Sequence, residues 1–341
     1  MERSSRRQRA PGRRLRRVMA TTVVLLGTGV AITGPPSHGD NDAAWYRVFT
    51  IRSQEITESS SLVVSTTHPG LAYTTNDSGD GATIYVLDTS TGAVVGHTSL
   101  ARVDPIDVEG MAGGSDGSLV VGDVGDNDAD RSSVAVYRIE QPADGDRRVV
   151  AERLRLEYAD GPRNAESVMY DARSGRVFVV SKEAIGASIY ATPPHVFTRR
   201  QAVLRPVAEA LTGLATDATL LANRRFAVIR TYVDAAIYRY PSWQLLHNIG
   251  LPSQPQGESV AAPPGGREIW VGTEGVRSGV LAVRLPPLPA SPIQRPTTPT
   301  DPDAASGDSG LLGGTATMTA GLALGILVLI AVGLLRFARR Q

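Results

Sequence analysis

The sequence predicts an all-β protein: a β-propeller of five blades, followed by one membrane-spanning helix. Three observations predict it. A motif returns five times between residues 45 and 285, that region lacks helical periodicity, and a 25-residue stretch near the carboxyl end carries no charge. Each element is justified in chain order below.

Residues 1–31 read as an export signal or an amino-terminal hydrophobic segment. Eight arginines within residues 1–17 precede an apolar run from Val18 to Ile32. Fifteen residues suit a signal core better than a full membrane span. Cleavage after a small residue and retention as an uncleaved anchor are both compatible with this pattern.

The body, residues 45–285, is built of short β-like runs separated by Gly, Asp, Asn and Pro. Internal repeats come first in such a reading. "DVEGMAGGSDGSLVVGD" starts at Asp107, "NAESVMYDARSGRVFVVSK" at Asn164, "ATDATLLANRRFAVIRT" at Ala215 and "QGESVAAPPGGREIWVGTE" at Gln256. A fainter first copy, "ESSSLVVSTTHPGLAYTTND", starts at Glu58. Each copy opens on a polar or acidic residue: Ser60, Glu109, Glu166, Asp217 and Glu258. A turn and an apolar strand follow, and then a third strand that often carries tyrosine, as in "TIYVLD" and "VAVYRI". A period of about 40 to 57 residues with about four strands per copy is the mark of a propeller blade.

The fifth copy lacks an outer strand after "VLAVRLP", while "WYRVFTIRS", Trp45 to Ser53, precedes the first copy. The early strand is therefore expected to complete the last blade and close the ring, which removes exposed sheet edges. Six blades, a β-sandwich or two separate domains are the alternatives.

The motifs "TNDSGDGATIYVLD", "VGDVGDNDADR", "NAESVMYDARSGRVFVVSKE" and "QGESVA" resemble those of a family of secreted or membrane-anchored actinobacterial β-propellers. That family is similar in motif style to phytase-like and esterase-like propeller proteins. The resemblance covers most of residues 55–285. It implies fold and an extracytoplasmic location, and no particular reaction. The fourth copy departs from the pattern, with Asp217 where three others have glutamate.

Residues 286–310 are rich in Pro, Ser, Thr and Asp and too poor in apolar groups to offset the entropy of ordering, so they read as a stalk. Leu311–Leu335 holds 25 uncharged residues, enough to cross a hydrocarbon core of about 30 Å. The basic tail 336–341 carries Arg336, Arg339 and Arg340 and is expected to stay cytoplasmic. The chain is thus expected in the cell membrane as a single-pass protein, with its bulk extracytoplasmic.

The formal net charge of +1 hides an acidic body. Without the basic ends, 24 basic and 33 acidic side chains remain, which argues against nucleic acid as a partner. There is no cysteine, so disulfides and thiolate metal sites are excluded. No histidine pair has zinc spacing, and no nucleophile elbow or phosphate-cradling loop occurs.

The chemistry left is carboxylate chemistry. In a propeller, equivalent residues of the innermost strands gather at one mouth of the channel. Asp107, Glu109, Glu166, Asp217, Glu258 and Glu274 are the expected ligand-binding set. Carboxylates so close raise one another's pKa unless a cation lies between them, and Ca²⁺ suits an all-oxygen set. Hydrogen bonding to neighbouring blades is the other reading of the same acids. Asp77 and Asp80 of "NDSGDG" and Asp123, Asp126 and Asp128 of "VGDVGDNDAD" are metal-ligand candidates. Asp and Asn are also the residues of tight turns, so a turn and a cation loop both stand.

Lys182 is the only lysine in the chain, which reads either as a compact point charge wanted in an arginine-writing sequence or as one chance codon. Two functions follow. One is a binding module for a small-molecule ligand or an envelope protein. The other is a calcium-assisted phosphoesterase or esterase, with Glu109, Glu166, Lys182 and Arg230 as catalytic candidates.

Overall fold

The structure, a computed structural model, describes residues 44–77, 81–210 and 212–290. The expected leader 1–31, the expected membrane helix 311–335, the expected tail 336–341, most of the expected 286–310 stalk and Asp80 lie outside the described residues. Among the described residues no helix is long and apolar enough to cross a membrane.

Strand β1 (Trp45–Thr50) comes first in the chain. The first copy of the motif then lays down β2 (Ser59–Val64), β3 (Leu71–Asn76), β4 (Thr83–Asp88) and β5 (Val94–Ala101) as an antiparallel meander. The second copy forms β6 (Val108–Gly113), β7 (Ser118–Asp123) and β8 (Val134–Glu140), crosses as β9 (Arg147–Val150), and returns as β10 (Glu152–Tyr158) against β8. The third copy gives β11 (Ala165–Asp171), β12 (Arg176–Ser181), β13 (Ala187–Ala191) and β14 (Gln201–Ala210). The fourth gives β15 (Asp217–Leu220), β16 (Phe226–Arg230), β17 (Asp234–Arg239) and β18 (Gln244–Gly250). The last gives β19 (Gly257–Ala261), β20 (Glu268–Thr273) and β21 (Gly279–Arg284).

Strand β1 pairs antiparallel with β21, Trp45 opposite Val283 and Thr50 opposite Gly279. The amino-terminal strand thus supplies the outer strand that the last copy lacks. The innermost strands form a closed cycle: β2 packs on β6, β6 on β11, β11 on β15, β15 on β19, and β19 on β2. Antiparallel sheets arranged radially around such a cycle are a β-propeller.

The core follows from this geometry. Each sheet is covered on both faces by its neighbours, so its second strand carries a buried apolar run, as in Leu119-Val120-Val121 and Val177 to Val180. Among the described residues five hydrophobic clusters fill the wedges between successive sheets, the last joining Phe49, Ala261 and Val280 to Leu62, Tyr85 and Leu87. The tyrosines of the third strands, Tyr85, Tyr137, Tyr190 and Tyr238, all point into these wedges. Each large apolar side chain so buried stabilises the fold by roughly 1.5–3 kcal/mol. Near the axis the strands crowd, and small residues are needed. A Cβ on Gly110 would lie 2.8 Å from the Val168 backbone nitrogen.

Two parallel pairings were not legible in the repeat. Strand β9 runs parallel to the outer strand β5, and β10 runs parallel to the first half of β14. The second pairing joins two sheets into one of eight strands. Both cover outer edges that would otherwise expose backbone hydrogen-bonding groups.

Candidate functional site

Bulges position the hub carboxylates. In β6, Val108 faces Asp123 and Gly110 faces Gly122, which leaves Glu109 as the extra residue. Glu166 is the extra residue between Ala165 and Ser167, and Ser60 the one between Ser59 and Ser61. The register slips by one between Gly257 and Val260, around Glu258. A bulge bends its strand and re-aims a side chain. Here it turns the opening residue of the copy toward its neighbours' equivalents.

A second position contributes from the end of the second strand in three copies. Asp77, Lys182 and Glu274 follow β3, β12 and β20, and their N–H groups donate to Glu58, Asn164 and Gln256 carbonyls at 2.9–3.0 Å. The preceding residue anchors the turn. Asn76 Oδ1 accepts the Thr57 and Glu58 N–H groups, and Asp123 Oδ1 accepts those of Ile106 and Asp107. Thr273 Oγ1 accepts the Gln256 N–H.

Together these positions make an acidic mouth. Asp77, Asp107 and Glu109 each offer a carboxylate oxygen, all within 4.8 Å of one another, and Glu109 is buried. The Ser60 hydroxyl lies 3.1 Å from Glu109 Oε2. Lys182 Nζ is paired with Glu166 Oε1 and sits 5.2 Å from the Tyr232 ring centroid. Gln256 donates to Glu258 Oε1 at 3.2 Å. The opposite end of the inner strands is mixed, with Leu62, Val64, Leu220 and Leu221 beside Thr66, Thr219 and Arg224.

The mouth is electrostatically strained. Burial, then the charge of Asp77, pushes Asp107 up to about 6. Burial holds the Glu109 carboxyl well above its usual range, and Asp77, Glu166 and Asp107 add to it. Burial raises Glu166 to about 7 even though Lys182 opposes the shift. Glu274 rises to about 8 through burial and the charges of Glu258, Asp77 and Glu58, and burial also raises Glu258. Burial alone would lower Lys182, but Glu166 and Tyr232 hold it up, so it stays charged. Asp77 recurs as a cause throughout, which places its charge centrally.

The donor set fits a hard cation. Ca²⁺ takes carboxylate oxygens at about 2.3–2.6 Å, so two ligands of one ion lie at most about 5 Å apart. The three carboxylates meet that spacing. Their mutual repulsion is the force that a cation would relieve.

The other residues singled out from the sequence take structural places. Strand β15 has no bulge: Asp217 faces Arg230 and Ala218 faces Ile229 in unbroken register. Asp217 is fully buried and accepts the N–H groups of Val260 and Ala218, both at 2.8 Å. It holds strands together instead of joining the acidic rim. Arg230 is also fully buried, donating to the Ser259, Gly272 and Thr231 carbonyls and to Gln254 Oε1. A Cβ on Gly257 would collide with its guanidinium. With its donors engaged by backbone carbonyls and the Gln254 side chain, Arg230 is no candidate for steadying a reaction.

"VGDVGDNDAD" forms a closed turn with its own cation. Arg131 pairs with Asp123 at 2.8 Å and donates to the Gly125 carbonyl. Asp126 is buried and accepts the N–H groups of Asp130 and Arg131, both at 3.0 Å. Asp128 is exposed. Asp123, Asp126 and Asp128 therefore do not converge on one point, because the first two are spent on the turn. The loop contributes to the mouth by positioning: Asp123 accepts the Asp107 N–H at 3.0 Å. Tyr232 was missed: "RTYVD" carries no sequence signal, and the contact with Lys182 arises only when the third and fourth sheets meet.

No protein-family model matches the sequence, and no curated protein matches it. Solved structures similar to the chain include hydrazine synthase of Kuenenia stuttgartiensis, at 13% identity and a TM-score of 0.38, covering 65% of this chain and 57% of that one. The PQQ-bound aldose sugar dehydrogenase of Streptomyces coelicolor shows 12% identity and a TM-score of 0.43, covering 72% of this chain and 98% of that one. A chain of a nidogen–laminin complex shows 15% identity and a TM-score of 0.40, covering 64% and 72%. The chain thus spans little more than half of the hydrazine synthase chain. It is the closed cycle of inner strands, not these likenesses, that makes the fold a propeller.

Proposed function

We propose that this chain is a five-bladed, membrane-anchored extracytoplasmic propeller that acts as a binding module, with a Ca²⁺ ion held at the acidic mouth of its hub. The observation that carries the reading is the convergence of Asp77, Asp107 and Glu109 within 4.8 Å. They come from two neighbouring sheets, so a bound ion would tie those sheets together. Glu166, Glu258 and Glu274 line the rest of the mouth, where a ligand or envelope partner with a cationic group would dock.

Lys182 favours a second reading. A lone ammonium paired with Glu166 and lying over the Tyr232 ring is placed to steady negative charge on an ester or phosphoester beside the ion. Both readings need the ion, and turnover separates them. Equilibrium dialysis of the full chain against calcium is expected to find one ion per chain, bound more weakly after Glu109→Gln. If calcium is absent from the native chain, both readings fail. Ester or phosphoester hydrolysis that disappears with Lys182→Met would favour the enzyme.

A further inference from the structure

A cleft of about 700 Å³ lies between the third and fourth sheets, away from the acidic mouth. Its wall is a trio of aromatic rings. Phe178, Tyr240 and Trp243 meet edge to face in pairs, with centroids 5.4–5.7 Å apart. Arg173, Arg176 and Arg224 line the same cleft, against one carboxylate, Asp171. That carboxylate is already engaged: it pairs with Arg224 at 3.2 Å and accepts the Tyr240 hydroxyl at 3.0 Å and the Ser174 hydroxyl at 2.7 Å. Arg176 donates to the Thr192 carbonyl and has no carboxylate partner among the described residues, and Arg173 has none either. The cleft therefore carries an uncompensated positive charge beside an aromatic wall.

Its backbone is built with strain. Trp243 and Arg224 both hold left-handed conformations, with φ of 57° and 54°, which non-glycine residues adopt at a cost of about 1–3 kcal/mol. Such strain concentrates at binding sites. Here it turns an indole and a guanidinium into the same cavity. Val207, the residue passed over at the bulge between Ala208 and Pro206, adds an apolar surface that is 46% exposed.

We propose that this cleft binds a small organic anion carrying a flat aromatic ring, with the ring against Trp243 and Tyr240 and the anionic group between Arg173 and Arg176. Arginine pairs with carboxylate, sulfonate or phosphate oxygens through a planar fork of donors, and aromatic walls favour flat rings. A ring without charge gains only the wall, and an anion without a ring gains only the rim.

The test is calorimetric titration of the full chain with 1-naphthaleneacetate and with its neutral isostere, 1-naphthaleneacetamide. The acid is expected to bind saturably at one site, about tenfold tighter than the amide, as a charge-assisted pair requires. Arg173 is exposed, so Arg173→Gln leaves the fold intact. It is expected to bring the acid down to the affinity of the amide and to leave the amide unchanged. Trp243→Phe is expected to weaken both ligands. Equal affinity for acid and amide, no saturable binding of either, or an Arg173→Gln variant that binds the acid as the native chain does would each overturn the proposal.

Discussion

The carboxylate of Asp217 meets the hydroxyl of Ser61 at 3.3 Å inside the hub. The two belong to strands that are not neighbours in the ring: β15 packs between β11 and β19, and β2 between β19 and β6. The contact therefore spans the axis, and Ser61 also accepts the Met111 N–H at 2.9 Å. With the Val260 N–H on Asp217, four inner strands (β2, β6, β15 and β19) are tied at one buried point below the acidic mouth. Asp217→Ala is expected to leave the Val260 N–H and the Ser61 hydroxyl without an acceptor and to cost about 2–3 kcal/mol. Burial holds the Asp217 carboxyl well above its usual range, so an uncharged amide is a closer mimic. Asp217→Asn is expected to cost less than half as much in denaturant unfolding. Equal losses for the two variants would show that the axial contact contributes little.

Arg131 plays the part of a cation for the aspartate-rich turn. Arg131→Met is expected to lower stability by about 2–3 kcal/mol, since it leaves the buried Asp123 unpaired. Saturating calcium is expected not to restore the loss, because Asp123 and Asp126 are committed to backbone N–H groups. Recovery of the native unfolding midpoint on adding calcium would mean that the turn itself takes the ion.

The acidic mouth makes stability depend on pH in a definite direction. Asp107, Glu166 and Glu274 are raised to about 6, 7 and 8 by burial and by neighbouring charge. In the unfolded chain such groups titrate near about 4. The folded chain therefore binds more protons between these limits, and its stability falls as pH rises. Their contribution is fully present below about pH 4 and is lost as pH climbs through 6 to 8. In chelator, the urea midpoint is expected to fall across that window. Calcium is expected to restore it at the alkaline end and to do little at the acid end. A midpoint that rises with pH in chelator would contradict this.

Much of the fold could be read from the sequence because a repeat constrains every copy at once. The grammar of acid, turn, apolar strand and tyrosine strand located β2 to β4, β6 to β8 and their equivalents. The missing outer strand after Val283 pointed to Trp45–Thr50, which pairs there. The parallel pairings of β9 and β10 could not be read, since they depend on contacts between sheets and not on periodicity. The same limit applied at the site. Equivalence in the repeat suggested that Asp217 would stand with Glu109, Glu166 and Glu258. One residue of register decides otherwise: the three glutamates lie at bulges and Asp217 does not. Bulges leave no plain mark in a single sequence. Asp107 and Asp77 sat in different motifs, and only the packing of β2 on β6 brings them together.

The most direct measurement is calorimetric titration of calcium into the full chain at a pH where the mouth is ionised, repeated on two double variants. The native chain is expected to bind one ion. Asp107→Asn with Glu109→Gln is expected to weaken that binding about tenfold or more, whereas Asp126→Asn with Asp128→Asn leaves it unchanged. No heat of calcium binding in the native chain, or binding lost with Asp126 and Asp128 instead, would contradict a cation site at the hub.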